Sequence, residues 1–430
     1  MRKISILTWS IVIAASAPVF AQSTLHNFAG GTDGADPTAD LISVGTTIYG
    51  TTNKGGGATA CADGCGTVFS IQSDGSGYMV AYRFQGAESD GANPQAGLVA
   101  DASGNLYGTT YNGGAHNLGT IFKLSPIGGG KFAETFLYSF VGHPSDGAHP
   151  LSKLVFDSLG NLYGTTYEGG TKNKGTVFEL DASGTETVLY SFTGSNGSNP
   201  RAGVVWDASG NLWGTTSTGG TTSLGTVFKL SESKGAWGES FLYSFEGPNG
   251  ARPNGAVILD SLGDVFGTTK AGAECSFTAD GCGVVFELQA TEGYKENVLY
   301  SFMGTTDGAA PVGDLTLTTD ETGNPLLFGT ASQAGMIGGT CPSTGCGTAF
   351  ELCSAGSSCG SATGWSEYTL FDFAGANGGR TPLAGIVVFQ TPPEDAPTDP
   401  MVGGKGQCTS GCMLPLSSGG TSGKGTLDLL

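Results

Sequence analysis

The chain has 430 residues, of which 75 are glycine and 18 proline; 38% are hydrophobic, only 13% are charged, and the formal net charge is −19. That glycine and proline share stays below that of structureless low-complexity chains, so a core can be buried. A surface this acidic repels phosphate backbones and anionic headgroups, which excludes nucleic acid and a charged membrane surface as partners. At the start, Arg2 and Lys3 precede an apolar run from Ile4 to about Ala17, and Val19-Phe20-Ala21 offers small residues to a signal peptidase. The order predicts an export signal over residues 1–21, cleaved after Ala21. Thr8, Trp9 and Ser10 interrupt a run already short for a span, so no membrane span is expected in the mature chain.

A unit then recurs. Its Tyr-Gly-Thr-Thr element begins at Tyr49, Tyr107, Tyr163, Trp213, Phe266 and Phe328, at spacings of 58, 56, 50, 53 and 62 residues. Each copy is followed by a Gly-Thr-Val-Phe-like element, from Gly66 to Gly347, and by a Leu-Tyr-Ser-Phe-like element, ending at Phe84 through Phe373. An Asp-Gly-x-x-Pro turn comes next, then a short apolar run and Asp-x-x-Gly-Asn. In the third unit four extended runs are expected: a (Lys153–Asp157), b (Asn161–Thr166), c (Gly175–Leu180) and d (Glu186–Phe192). Four short strands at this period predict an all-β fold, a β-propeller of four-stranded blades.

The ends decide the blade count. Thr24–Phe28 resembles a run d with nothing before it; Ala384–Gln390 resembles a run a, and Gly419–Leu430 a b–c loop and run c. Pairing them predicts six full repeats plus a closing seventh blade shared by the N- and C-termini, with six blades as the alternative. Cys412–Leu416 is the candidate for its run b. Residues 22–430 then form a single propeller domain, with 391–424 an irregular insertion in the closing blade.

Ten cysteines fall into five near-neighbour pairs: Cys61–Cys65, Cys275–Cys282, Cys341–Cys346, Cys353–Cys359 and Cys408–Cys412. In an exported chain this pattern predicts five local disulfides, each worth ~2 to 2.5 kcal/mol. The competing reading is a metal site, for which only Cys341/Cys346 and Cys353/Cys359 lie close enough in sequence.

In alternating strands, the d–a and b–c connections leave a blade on one face, and both recurring turns lie there. Asp at the head of Asp-Gly-x-x-Pro caps the turn backbone, and Asn replaces it at Asn196, Asn249 and Asn377. That exchange argues against a catalytic carboxylate, and leaves calcium open at Asp33, Asp90, Asp146 and Asp307, with Asp36 nearby. His116, His143 and His149 belong to the same face, as loop histidines or as transition-metal ligands. Tyr111 and Tyr167 follow Thr-Thr where other units carry Asn53, Ser217, Lys270 and Ser332. They either stack on sugar rings or cover neighbouring loops. No Gly-x-Ser-x-Gly, His-Glu-x-x-His or P-loop occurs, so enzyme signals are thin.

The combination Asn-Leu-Tyr-Gly-Thr-Thr…Gly-Gly…Gly-Thr-Val-Phe…Leu-Tyr-Ser-Phe resembles the Gloeo/Verruco (GloVer) tandem repeat family of exported bacterial proteins, over about residues 24–390. The resemblance implies propeller repeats on secreted or surface-attached proteins, and it brings no catalytic residues to carry over. Members often carry C-terminal anchors; after Pro400 no apolar span followed by basic residues is present, which favours release or periplasmic residence. The expectation is a secreted, monomeric, non-enzymatic propeller binding an extracellular glycan, peptide or protein, without a cofactor unless calcium. The alternative is a polysaccharide hydrolase or lyase on the same scaffold.

Overall fold

The computed structural model describes residues 23–275, 277–335, 341, 345–357, 359–361, 364–373, 380–388, 412–418 and 424–429. The expected export signal (1–21) and the Cys408–Cys412 pairing lie outside these residues, as does most of the expected insertion, 391–424. Apart from one 3₁₀ turn, Ala290–Glu292, the regular elements are all β-strands. The third unit forms all four expected strands: a (Val155–Phe156), b (Leu162–Thr166), c (Thr176–Leu180) and d (Glu186–Ser191), paired antiparallel in chain order. Five more units build equivalent sheets, blades 1, 2, 4, 5 and 6. A seventh sheet holds Val387–Val388, Cys412–Ser418, Thr426–Leu429 and the N-terminal strand Ser23–Asn27.

The protein is a β-propeller, and both chain ends meet in its closing blade, where Ser23 lies opposite Leu429 and Asn27 opposite Thr426. Strand b of that blade, Cys412–Ser418, extends the weakly signalled Cys412–Leu416 run and interrupts the stretch expected to be irregular.

Most of the repeated residues serve the joints between blades. The residue before each turn proline donates its N–H to the b–c loop of the preceding blade. The seven bonds are Asp36 to Lys424, Asn93 to Cys65, His149 to Leu118, Asn199 to Lys174, Arg252 to Leu224, Ala310 to Cys282 and Thr381 to Cys346, all 2.7–2.8 Å. The ring therefore closes seven times by the same bond. All seven donors hold φ between 54° and 59°, a left-handed conformation that ordinary residues keep only where the surroundings impose it. The glycine that opens each c strand makes room for the joint. At Gly175 (φ 95°) a Cβ would lie 2.6 Å from Cδ of Pro200 in the next blade.

Of the Thr-Thr pair, Thr165 donates to Ala202 O across the joint at 2.8 Å, and Thr166 shares a 2.8 Å hydroxyl bond with Thr176 inside the blade. Both hydroxyls are buried, so these bonds offset a desolvation cost. Six of the seven phenylalanines that follow strand d pack edge-on against the c-strand Phe of the next blade; Phe192 and Phe228 are fully buried with centroids 5.1 Å apart. Short ribbons such as Gly147–Ala148 with Glu168–Gly169 pin the d–a turn to the b–c loop, so both turns do share one face.

Four local disulfides form: Cys61–Cys65, Cys275–Cys282, Cys341–Cys346 and Cys353–Cys359. The pairing disposes of the cysteine–metal reading at the last two, because their sulfurs are spent on each other. Glu351 beside Cys353 and Cys359 is the only metal-like cluster among the described residues, and it loses two ligands for the same reason.

Candidate binding site in the central channel

The segment running from the turn proline into strand a of each blade faces the axis, and the seven segments enclose a channel of about 590 Å³. The first, third and fifth residues after each turn proline form successive rings along it. Counting from each turn proline, the first residue forms the mouth, with Thr38, Gln95, Arg201 and Asn254 polar and Leu151, Val312 and Leu383 apolar. The third residue forms a second ring of Asp40, Gly97, Lys153, Gly203, Ala256, Asp314 and Gly385. The fifth is apolar in Val99, Val155, Val205 and Ile258. Four blades thus place glycine or alanine in the second ring and three place a charge.

The two carboxyls of that ring meet. Asp40 Oδ1 accepts from Gly385 N at 2.6 Å, and Asp314 Oδ1 accepts from Ala256 N at 2.6 Å. Burial pushes the Asp314 carboxyl well above its usual range, and the charge of nearby Asp40 pushes it further. Lys153 acts in the opposite direction on Asp314. The Lys153 stem crosses Gly97, whose Cβ would come 3.3 Å from Asp40 Cβ and 3.5 Å from Lys153 Cδ. Gly97 leaves room for these two charged side chains, whereas at Gly203 a Cβ would meet the Lys153 backbone O at 2.4 Å. Reading the sequence by motif missed this ring. Its signal was available in the residue three after each turn proline, where Asp, Lys and Asp interrupt a run of glycine and alanine.

Beside the mouth, three of the five residues singled out in the sequence come together. His149 Nδ1 bonds Tyr111 O at 2.9 Å, and its ring stacks on the Tyr111 phenol with centroids 4.5 Å apart. A carbonyl only accepts, so Nδ1 carries the proton of this bond. The equivalent bonds in neighbouring blades come from asparagine, Asn93 to Asn53 O and Asn199 to Tyr167 O, both at 3.0 Å. Tyr167 lies under the Arg201 guanidinium, 4.9 Å from its ring centroid, and Arg201 itself lines the channel. The Tyr111 hydroxyl is raised above its usual pKa by burial, then by the nearby Glu168 charge and by Tyr167. The other two residues are not part of this patch. His143 Nδ1 bonds Gly170 O at 2.8 Å in the b–c loop, and His116 is exposed.

The four turn aspartates sit in different blades, each bound to its own turn. Asp146 accepts from Val141 N at 2.6 Å and from Tyr138 Oη at 3.0 Å; Asp307 accepts from Met303 N at 2.7 Å and Tyr300 Oη at 3.1 Å. Asp90 accepts from Gln85 N at 2.6 Å, and Asp33 from Ala29 N at 2.9 Å and from Tyr78. Asn196 and Asn249 make the matching turn bonds through Oδ1. Asp36 pairs with Lys54 at 2.8 Å.

Fold and site define a β-propeller with a polar axial channel that opens beside an aromatic patch. The repeat model of the Gloeobacter/Verrucomicrobia family matches residues 14–158 and 151–391, and the chain belongs to that family. No curated protein matches it in sequence. Among solved structures it is similar to virginiamycin B lyase from Staphylococcus aureus, at 12% identity over 95% of this chain and 98% of that one, with a TM-score of 0.52. A Lactobacillus plantarum protein (14% identity, 88% and 98% covered, TM-score 0.47) and the periplasmic gluconolactonase of Pseudomonas aeruginosa (16%, 72% and 85%, 0.42) are looser likenesses. At such identities the first shows the fold alone, and the other two carry no argument.

Proposed function

We propose that this chain is a secreted, non-enzymatic binding propeller that takes a neutral, hydroxyl-rich ligand, a glycan, at the channel mouth of the d–a/b–c face. One observation carries the reading. The repeated polar residues are consumed in turns and blade joints, whereas Tyr111, His149, Tyr167 and Arg201, which depart from the repeat, converge beside one mouth. Tyrosine faces suit the apolar face of a sugar, and Arg201, Gln95 and Asn254 supply donors for its hydroxyls. Four disulfides suit an oxidising compartment, and no helix among the described residues is long and apolar enough to cross a membrane.

The rival reading, a hydrolase or lyase, draws less support from the channel. Among the described residues, Asp40 and Asp314 are the only acids in its lining, and each has one oxygen committed to a backbone N–H. The test is calorimetric titration of short cello-, xylo-, chito- and malto-oligosaccharides, with and without calcium, alongside a turnover assay on the parent polysaccharides. Binding that falls at least about tenfold in both Tyr167→Ala and Arg201→Gln supports the reading, that factor being ~1.4 kcal/mol. Equal binding by those variants, or turnover of any substrate, overturns it.

A further inference from the structure

The mouth patch would serve a ligand lying across the face, yet the charged ring lies deeper, on walls formed by all seven blades. Something must reach it from above, and an encircled channel admits the end of a chain rather than its middle. Resting on the glycan reading above, we infer that the channel binds the terminal sugar of a glycan end-on, its hydroxyls held by Asp40, Asp314 and Lys153.

The chemistry of the ring selects the ligand class. Asp40 and Asp314 each have one oxygen committed to a backbone N–H, of Gly385 and Ala256, which fixes both carboxyls in place. Their other oxygens are left to accept from the hydroxyls of a ligand. Lys153 adds donors, and no hydrogen bond or ion pair within 4 Å engages its ammonium among the described residues. A divalent cation would face that ammonium and only two carboxyls, against the six to eight oxygens calcium takes. An anion would face the carboxyl pair. Neighbouring hydroxyls of a sugar both donate and accept, and they match this set without adding charge. Glycine at 203 and 385 lets neighbouring inner segments close around the channel, since a Cβ there would lie 2.4 Å from Lys153 O and 2.8 Å from Asp314 O, and Val155, Val205 and Ile258 add apolar lining.

The experiment uses the full chain and the same oligosaccharide panel, each sugar supplied in two forms, with a free terminal residue and with that residue O-methylated. Wild-type protein is expected to bind the free form at least about tenfold more tightly than the blocked one. Asp40→Asn and Lys153→Met are expected to remove that preference, while Tyr167→Ala weakens both forms; circular dichroism checks that each variant is folded. Three results overturn the inference. If blocked and free ends bind alike to wild type, or if both channel variants keep the preference, the ligand stays at the mouth, and the glycan reading stands without the channel. If calcium alone titrates one to one and Asp40→Asn abolishes it, the ring is a cation site. If no oligosaccharide binds, the inference falls together with the reading beneath it.

Discussion

A methyl group on Gly164 would lie 2.8 Å from Cζ of Phe178 and 2.9 Å from Cδ2 of Leu154. The same collision recurs at Gly50, Gly108, Gly214, Gly267 and Gly329, where an added Cβ would lie within 2.7 Å of the c-strand Phe ring. The glycine of Tyr-Gly-Thr-Thr is therefore the partner of a phenylalanine in the adjacent strand. Gly164→Ala should overpack the blade and cost about 1–3 kcal/mol, read as a lower urea midpoint with unchanged slope. A midpoint equal to wild type would mean that Phe178 moves freely, contrary to its complete burial. At this scale a motif announces its own purpose, because the same glycine is needed in every copy. The channel residues announce nothing. Asp40, Lys153 and Asp314 differ from copy to copy, and only their common distance from the turn proline relates them. Tyr111 and Tyr167 were visible for the same kind of reason, as breaks in a position already aligned, but their partner Arg201 comes from the next blade. Sequence order does not show that neighbour.

Strands here are held less by length than by what they meet in the next blade. Strand a of blade 3 has two residues, too few to persist alone, and its neighbour strand b gains a bond across the joint through Thr165. The joint's largest contribution is aromatic. Phe192 directly follows strand d, is fully buried, and meets both Phe228 of the next blade and Tyr190 of its own. Phe192→Ala should cost about 3–5 kcal/mol, the range for a large side chain removed from a core that collapses only partly. Exposed Leu159, at 80% exposure in an a–b turn, offers the contrast: Leu159→Ser should change stability by less than ~0.5 kcal/mol. Parallel denaturant titrations of the two variants check both figures, and similar losses would refute the joint as the seat of stability. Strand boundaries in the third unit were legible to within two residues, because Gly and Asp turns bracket every run. The closing blade was harder to read: its strand b at Cys412–Ser418 carries no copy of Tyr-Gly-Thr-Thr, so only its place in the ring identifies it.

In blades 2 to 6, strand d inserts a glutamate against the tyrosine and turn of the blade before. Tyr82 donates to Glu134 at 2.8 Å, Tyr190 to Glu239 at 3.0 Å and Tyr243 to Glu296 at 2.6 Å. Glu186 belongs to this set; burial first, and the charge of Asp146 second, push its carboxyl up to about 8. Glu351 and Glu367 are pushed by burial to about 7. For such groups the folded pKa exceeds the unfolded value of 4.5, so the folded state holds the proton more tightly. Their stabilisation is complete below about pH 4.5 and is lost as pH rises through about 7 to 8. Asp33 runs the other way. Burial would raise it, but hydrogen bonds from His26, Tyr78 and Ala29 outweigh that and hold it at about 2, against 3.8 unfolded. Its contribution is present above about pH 3.8 and is lost as pH falls through about 2. Together these shifts place the stability maximum on the acid side of neutrality, and melting temperature should be lower at about pH 9 than at about pH 5. Glu186→Gln removes one titrating group, so the drop between those two values should shrink in the variant. An alkaline drop as large in Glu186→Gln as in wild type would assign the effect to the other glutamates. A melting temperature that rises steadily from pH 5 to 9 would mean that the blade joints hold these carboxyls ionised, and would remove the pH argument for the ring as a whole.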